Sequence, residues 1–174
     1  MLAGIFNRIE PGKLDQNFIN DDFPSSNFDV IGCVTNEIDL SHPPKYDPKG
    51  TLINVRASRI VGLKYQEEPI EPAQKFVVAT NNYRAGGGGN FPDIDGKVTV
   101  LTASDTNRDV IVRYIIQAGT IAPSADRNWS FAPVAGASAL FRSGPKAKDH
   151  LGEVKGIEHA CEGENGFATF RIKL

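Results

Sequence analysis

Histidine, cysteine and net charge are all scarce in these 174 residues. Three histidines, two cysteines and a formal charge of −2 leave little material for a metal cluster, a disulfide framework or a basic face. Cys33 and Cys161 lie far apart, too few and too scattered for a disulfide scaffold or a zinc site, and are read as free thiols. A nucleic-acid polymer is normally met by clustered positive charge, so none is expected as a partner, whereas a mononucleotide stays compatible. No apolar run approaches the roughly 18 residues needed to cross a bilayer, and the N-terminus lacks the basic segment and long apolar core of a signal peptide. Neither a membrane partner nor a signal peptide is therefore expected for this chain. Core-forming residues are not scarce, since 40% of the sequence is hydrophobic, and the expectation is one domain spanning residues 1–174.

The most informative stretch runs from Phe76 to Pro92. A β-branched apolar run, Phe76–Thr80, leads into Asn81, Asn82, Tyr83 and Arg84 and then into Gly86, Gly87, Gly88 and Gly89. The spacing predicts a strand ending where only a backbone free to adopt positive φ continues. Two common glycine-loop explanations fail on counting. A dinucleotide fingerprint started at Gly86 or Gly87 requires a third glycine where Phe91 or Pro92 stands. A P-loop requires Gly-Lys-Ser/Thr, but Gly96-Lys97 is followed by Val98 and has Phe91 in the first glycine's place. What remains is an aromatic, Tyr83, beside a glycine tract.

Along the chain, Leu2–Ile9 reads as the last turns of a helix closed by Pro11-Gly12, and Asp15–Asn27 as a polar loop. Val34, Ile38 and Leu40 alternate with polar residues in strand rhythm. Residues 51–57 and 59–65 read as further strands, with a turn over Gln66–Pro72 before Phe76–Thr80. A helix is predicted from about Thr106 to Ala118, because Val110, Ile111, Tyr114, Ile115 and Ala118 fall on one stripe. Ser104 or Asp105 is its expected cap, Asp109 and Arg113 an i, i+4 pair, and Gly119 its left-handed terminator. From Trp129 onward short apolar pieces read as edge strands and loops, closing with Phe167–Leu174. This layout, without regular strand–helix alternation, predicts an α+β fold: a mixed β-sheet flanked by a few helices.

Five further segments join the glycine motif: Phe6–Pro11, Asn27–Ile31, Pro44–Asp47, Ala103–Arg108 and Ala125–Trp129. Together and in this order, from roughly Ala3 to Ala135, they resemble the C-terminal substrate-binding domain of the 5′-nucleotidase family. The branch they are most similar to is the bifunctional 2′,3′-cyclic-nucleotide 2′-phosphodiesterase/3′-nucleotidases. The resemblance implies the same α+β class and an aromatic that stacks on a nucleobase. The family motif looks like Asn-Phe-x-x-x-Gly-Gly-Asp. Laid on this sequence, Asn82 and Tyr83 take the first two places, Gly87 and Gly88 the glycine pair, and Gly89 the aspartate's. A carboxylate contact is therefore missing at Gly89, and Asp93 or Asp95 is the candidate replacement. The substrate-binding residues implied are Tyr83, Asn82, Arg84, Gly86, Gly87, Gly88, Gly89, Phe91, Asp93 and Asp95.

By the same resemblance, catalysis belongs to an N-terminal metallophosphoesterase domain that holds two divalent metal ions in a longer parent. Its ligands lie in Asp-x-His, Asn-His-Asp/Glu and Gly-His-x-His segments, and His42, His150 and His159 fall in none of them. No catalytic residue, metal ligand or cofactor is thus expected within this chain, which should be inactive alone. The parent's export signal and a second stacking aromatic are expected upstream, and its location is expected to be the periplasm or cell surface. With one aromatic, stacking contributes ~1–3 kcal/mol where a millimolar complex needs about 4.1 kcal/mol, so nucleoside binding is expected at millimolar strength or weaker. Plainer readings accompany each residue: Tyr83 as a core or rim tyrosine, the glycines as a flexible turn, Phe91 as a plug, Arg84 as an exposed arginine, Trp129 as core or domain-contact packing. Asp93 and Asp95, two apart, match a general acid/base spacing but are read as solvated turn carboxylates. The alternative functions are a stand-alone binding or interaction module and an independent hydrolase using Asp93 and Asp95.

Overall fold

Polar as it is, Asp15–Asn27 supplies a strand and two core aromatics. Gln16–Asn17 (β1) runs parallel to Ala139 and Leu140, and Phe18 and Phe23 are buried. The loop reading of this run is corrected by those two rings, whose burial outweighs the polarity of their neighbours. The computed structural model describes residues 4–174. They divide into two compact units: the segment up to Ile70 together with Asn128–Leu174, and Glu71–Arg127.

The first unit holds every strand described. After β1 come Val34–Ile38 (β2), Ile60–Tyr65 (β3), Glu68–Pro69 (β4), Trp129–Phe131 (β5), Ser138–Ser143 (β6), Ile157–Glu162 (β7) and Ala168–Lys173 (β8). They form two mixed four-stranded sheets, in the orders β1-β6-β8-β7 and β4-β3-β2-β5. The pairs β1·β6 and β2·β5 are parallel, and the others antiparallel. This is the α+β class that the sequence predicts, with two mixed sheets in place of the one expected. The β3–β4 hairpin turns through Gln66 and Glu67, both at positive φ (52° and 65°) without a glycine, the twist that a tight hairpin requires.

The core of this unit gathers Ile5, Phe6, Ile9, Phe18, Ile38, Leu40, Val134 and Ala139. Ring centroids of Phe6 and Phe131 lie 5.1 Å apart and those of Phe18 and Phe131 5.3 Å, both edge-on, the geometry that aromatic quadrupoles favour. Trp129 joins them, 5.4 Å from both Phe131 and Phe28, in the packing role read from sequence. Buried Arg59 ties the layers: Nε donates to His42 O and Nη1 to Phe6 O, each at 2.8 Å. Burial and the neighbouring Arg8 push its pKa down to about 10 against the pull of Asp39, so it stays charged at neutral pH.

Two strand or helix expectations in this unit give way to other pairings. Of Leu2–Ile9, Leu2 and Ala3 lie outside the described residues; from Gly4 a turn leads into a single antiparallel bridge, Phe6 to Ile19. The backbone here pairs outward, Asn7 N to Phe18 O and Ile9 N to Leu40 O at 2.9 Å each, which a helix would forbid. In residues 51–57 Leu52 makes one bridge to Tyr46. Asp47 Oδ1 accepts from Lys49 N and Thr51 N, and Asn54 Nδ2 donates to Pro44 O. Such local side-chain bonds hold a turn instead of a ladder.

The second unit carries two helices, Asn82–Ala85 (α1) and Asn107–Ala118 (α2). The predicted strand Phe76–Thr80 does not form: this stretch is irregular, and Val77 is 84% exposed. β-Branched propensity without a neighbouring strand gives no ladder. α2 matches its predicted span, but its cap is Thr106 in place of Ser104 or Asp105. Thr106 Oγ1 accepts from Asp109 N while Asp109 Oδ2 accepts from Thr106 N, a complete capping box. With Asp109 so engaged, Arg113 pairs with Asp105 at 3.0 Å and 3.2 Å instead of with Asp109. Gly119 terminates the helix at φ 70° as predicted. The stripe Val110, Ile111, Tyr114, Ile115 is exposed. Among the described residues no helix is long and apolar enough to cross a membrane.

Candidate functional site

The segment Asn81–Lys97 folds back on itself around one ring. Asn81 sits at φ −81°, ψ 161° and its Oδ1 accepts from Arg84 N at 2.8 Å, satisfying a donor that a helix start otherwise leaves open. Asn82 Oδ1 accepts from Tyr83 N at 3.0 Å. After the single turn of α1, Gly87 N donates to Arg84 O at 3.0 Å and Gly88 N to Tyr83 O at 2.8 Å. The chain then reverses through Gly87 at φ 96°, Gly89 at φ 85° and Asn90 at φ 57°, backbone angles that explain the glycines. A Cβ on Gly87 would stand 3.0 Å from Ile94 O, and one on Gly96 3.8 Å from Ala85 O, so the two arms of the loop lie against each other.

Tyr83 stays 63% exposed, and its two faces are unequal. A Cβ built on Gly88 would lie 2.6 Å from both Cδ2 and Cε1 of Tyr83 and 2.5 Å from Tyr83 O. Those two ring atoms face each other across the ring, so Gly88 sits over its middle. Gly88 is required here for close approach and not for its φ. Arg84 completes the cluster: its guanidinium carbon lies 4.8 Å from the Phe91 centroid and 5.4 Å from that of Tyr83, both within cation–π range. Its Nη1 donates to Gly88 O at 3.1 Å. The exposed-arginine reading is thus corrected: Arg84 is half-buried because two rings and a carbonyl hold it. Phe91, also half-buried, is the floor under that cation.

The two carboxylates behave differently. Asp93 is exposed, at φ 61°. Asp95 accepts from Lys97 N at 3.1 Å and forms an ion pair with Lys97 Nζ. That side-chain bond holds its carboxyl below the usual carboxylate range. A carboxyl held down and paired is a poor proton donor near neutral pH, which leaves the acid/base reading without support at Asp95. Among the described residues no three His, Cys, Asp or Glu side chains group as a metal cradle requires, so the donor set here does not fit a divalent ion.

The structure therefore brings together Tyr83, Arg84, Gly88 and Phe91, with Gly86 and Gly87 closing the turn against residues 94–96. Asn82 serves the local backbone, Gly89 supplies the reversal, and Asp93 and Asp95 lie on the exposed return arm. Sequence reasoning overlooked Asn81 as the cap and the Arg84–Phe91 contact. The first was readable from an asparagine ahead of a helical turn; the second has no short-range signal. A separate cleft of about 450 Å³ in the first unit is lined by Asn17, Leu140, Arg142, Phe167 and Thr169 among others, and contains none of these residues.

Comparison with known proteins supplies the context. Residues 10–95 match the family described as 5′-nucleotidase, C-terminal domain. The chain is 42% identical over its whole length to the trifunctional nucleotide phosphoesterase protein YfkN of Bacillus subtilis, of which it covers 12%. It is 36% and 37% identical, over 99% of its length, to the 2′,3′-cyclic-nucleotide 2′-phosphodiesterase/3′-nucleotidases of Haemophilus influenzae and Salmonella typhimurium, covering 28% of each. The chain thus spans less than a third of the length of these relatives. No solved structure gives a significant match.

Proposed function

Because residues 10–95 belong to the 5′-nucleotidase C-terminal domain family, we propose that this chain recognises the base of a nucleoside or nucleotide by stacking it on Tyr83. The observation that carries this reading is the asymmetric ring, backed by Gly88 on one face and presented to solvent. Stacking on an aromatic is tolerant of base identity because every base has a π-face, which suits a domain that positions a nucleoside while chemistry happens elsewhere. The substrates proposed are 2′,3′-cyclic nucleotides and 3′-nucleotides, in keeping with what two of the relatives are named for.

In a longer polypeptide, the partner proposed is an N-terminal metallophosphoesterase domain carrying the divalent ions, in the periplasm or at the cell surface. Residues 4–174 then contribute orientation: base binding through Tyr83 holds the nucleotide so that its phosphate is presented to groups outside this segment. A titration of the 174-residue chain with adenosine or 3′-AMP, followed by the Tyr83 ring signals, tests the reading. Millimolar saturation with shielded ring resonances is expected, and an unresponsive ring up to the solubility limit sinks it.

One observation favours a second reading, an interaction module. Within Glu71–Arg127 the large apolar side chains of Val77, Val78, Val100, Leu101 and Ile116 are each exposed, surface of the kind that an interface would cover. Sedimentation analysis with and without adenosine separates the two: ligand stoichiometry that follows self-association supports the module.

A further inference from the structure

Resting on the base-stacking reading above, we propose that Arg84 and Gly88 form a positioning device that fixes the plane of the Tyr83 ring and restricts it to stacking on one face. Three observations converge. Gly88 lies over the middle of the ring, where any Cβ would come within 2.6 Å of Cδ2 and Cε1. Arg84 Nη1 donates to Gly88 O at 3.1 Å, pulling that peptide toward α1. The guanidinium itself is located by the Phe91 ring at 4.8 Å and lies 5.4 Å from the Tyr83 centroid.

The physical logic is preorganisation. A free tyrosine on an exposed turn samples several χ1 wells and offers both faces, so a ligand that stacks on it must first select one arrangement. Here a backbone segment occupies one face, and its height above the ring is set by a charged hydrogen bond, which is stronger than a neutral one. Arg84 touches neither base nor phosphate in this account. It acts through Gly88, and Phe91 acts through Arg84.

The arrangement also assigns a purpose to an arginine at this place in the turn. Lysine would keep the attraction to the Phe91 face, but a single ammonium cannot lie flat on a ring and reach a carbonyl as a planar fork does. Alanine at 88 would insert a methyl between peptide and ring, and the clash is with the ring body and a backbone oxygen, so the ring or the turn must move.

The tyrosine ring ¹H–¹³C resonances of the 174-residue chain read this directly, with Tyr83→Phe identifying the Tyr83 signals. In ligand-free protein, Gly88→Ala and Arg84→Met are expected to shift the Tyr83 ring resonances while those of Tyr46, Tyr65 and Tyr114 stay in place. With adenosine, both variants are expected to weaken the Tyr83 response at least about fivefold, the low end of what one base stack contributes. Arg84→Lys is expected to fall between Arg84→Met and the parent chain. Unmoved ligand-free Tyr83 resonances in both variants overturn the inference, even if adenosine still binds. Should Gly88→Ala disorder the turn, judged by amide dispersion over 82–97, Arg84→Met decides, since it adds no atom over the ring. A Tyr83 ring that ignores adenosine in the parent chain but moves in the variants would refute base stacking and leave the positioning device standing.

Discussion

Arg171 grips Asp15 across 156 residues of sequence, Nε to Oδ1 at 2.5 Å and Nη2 to Oδ2 at 2.8 Å. Its third nitrogen reaches Glu158 Oε1 at 2.7 Å, and Lys173 Nζ stands 3.0 Å from Glu158 Oε2. The bidentate pair fastens the chain just before β1 to β8 at a point where β1 itself is two residues long, so a short strand is anchored by geometry that Lys would not reproduce.

The pH dependence of stability follows from this pair. The Arg171 side chain holds the Asp15 carboxyl below its ordinary value, and Arg171 with Lys173 does the same to Glu158. A carboxyl lowered in the folded state contributes stability above its unfolded value, about 3.9 for Asp. That contribution is lost as pH falls through the lowered folded value. Urea unfolding between pH 7 and pH 2.5 should therefore show an acid limb that is shallower in Asp15→Asn, with the largest difference from the parent chain above pH 4. High salt should weaken the effect, because both partners are partly exposed. An unchanged acid limb in Asp15→Asn would remove this pair from the account.

Phe170→Ala tests the first unit's core. Phe170 is 1% exposed, stacks with Phe141 at 5.8 Å and meets His159 edge-on at 5.7 Å. Truncating a buried phenylalanine costs about 3–5 kcal/mol. The urea midpoint should fall accordingly with an unchanged m-value, and a loss below about 1 kcal/mol would mean that the sheet collapses around the gap.

Two neighbouring glycines should respond unequally to alanine. Gly87 stands at φ 96° with its missing Cβ 3.0 Å from Ile94 O, whereas Gly86 is at φ −84° with its missing Cβ 3.2 Å from Asn82 O. Gly87→Ala should cost the turn about 1–2 kcal/mol for the left-handed backbone alone, seen as faster amide exchange over residues 85–96. Gly86→Ala should leave that exchange within a few-fold of the parent, and equal losses would assign both glycines to flexibility alone.

In a longer polypeptide with nucleotidase activity, Tyr83→Ala should lower kcat/KM for nucleotides about 5- to 150-fold, the equivalent of ~1–3 kcal/mol. The loss on a simple aryl phosphate should be far smaller, because that substrate has no base to stack. Tyr83→Phe should retain most activity, since the ring supplies the contact. Equal losses on both substrates would take Tyr83 out of base recognition.

Much of this was legible in sequence, for identifiable reasons. The α2 helix was readable because a 3.6-residue apolar stripe and a glycine terminator are local signals; its cap shifted to Thr106 because a threonine–aspartate capping box outcompetes a lone Ser104 or Asp105. β2 was readable from alternation, and β3 as a further apolar run beyond the proline break. The strand over Phe76–Thr80 was not realised, because a β-branched run has no structure until another strand pairs with it. Phe18 and Phe23 were hidden within a polar run, because burial of a ring depends on what lies across from it.

At the site, the chemistry of Asn81–Val98 alone determined that a tyrosine would stand beside a glycine turn and excluded the two common phosphate-binding loops. Tertiary structure alone decided that Gly88 would cover one face of that ring, that Arg84 would lie on Phe91 instead of in water, and that Asp95 would be spent on Lys97. The physical reason is that backbone propensity is written residue by residue, whereas which face of a ring stays open is set by atoms that meet only after the chain has turned back on itself.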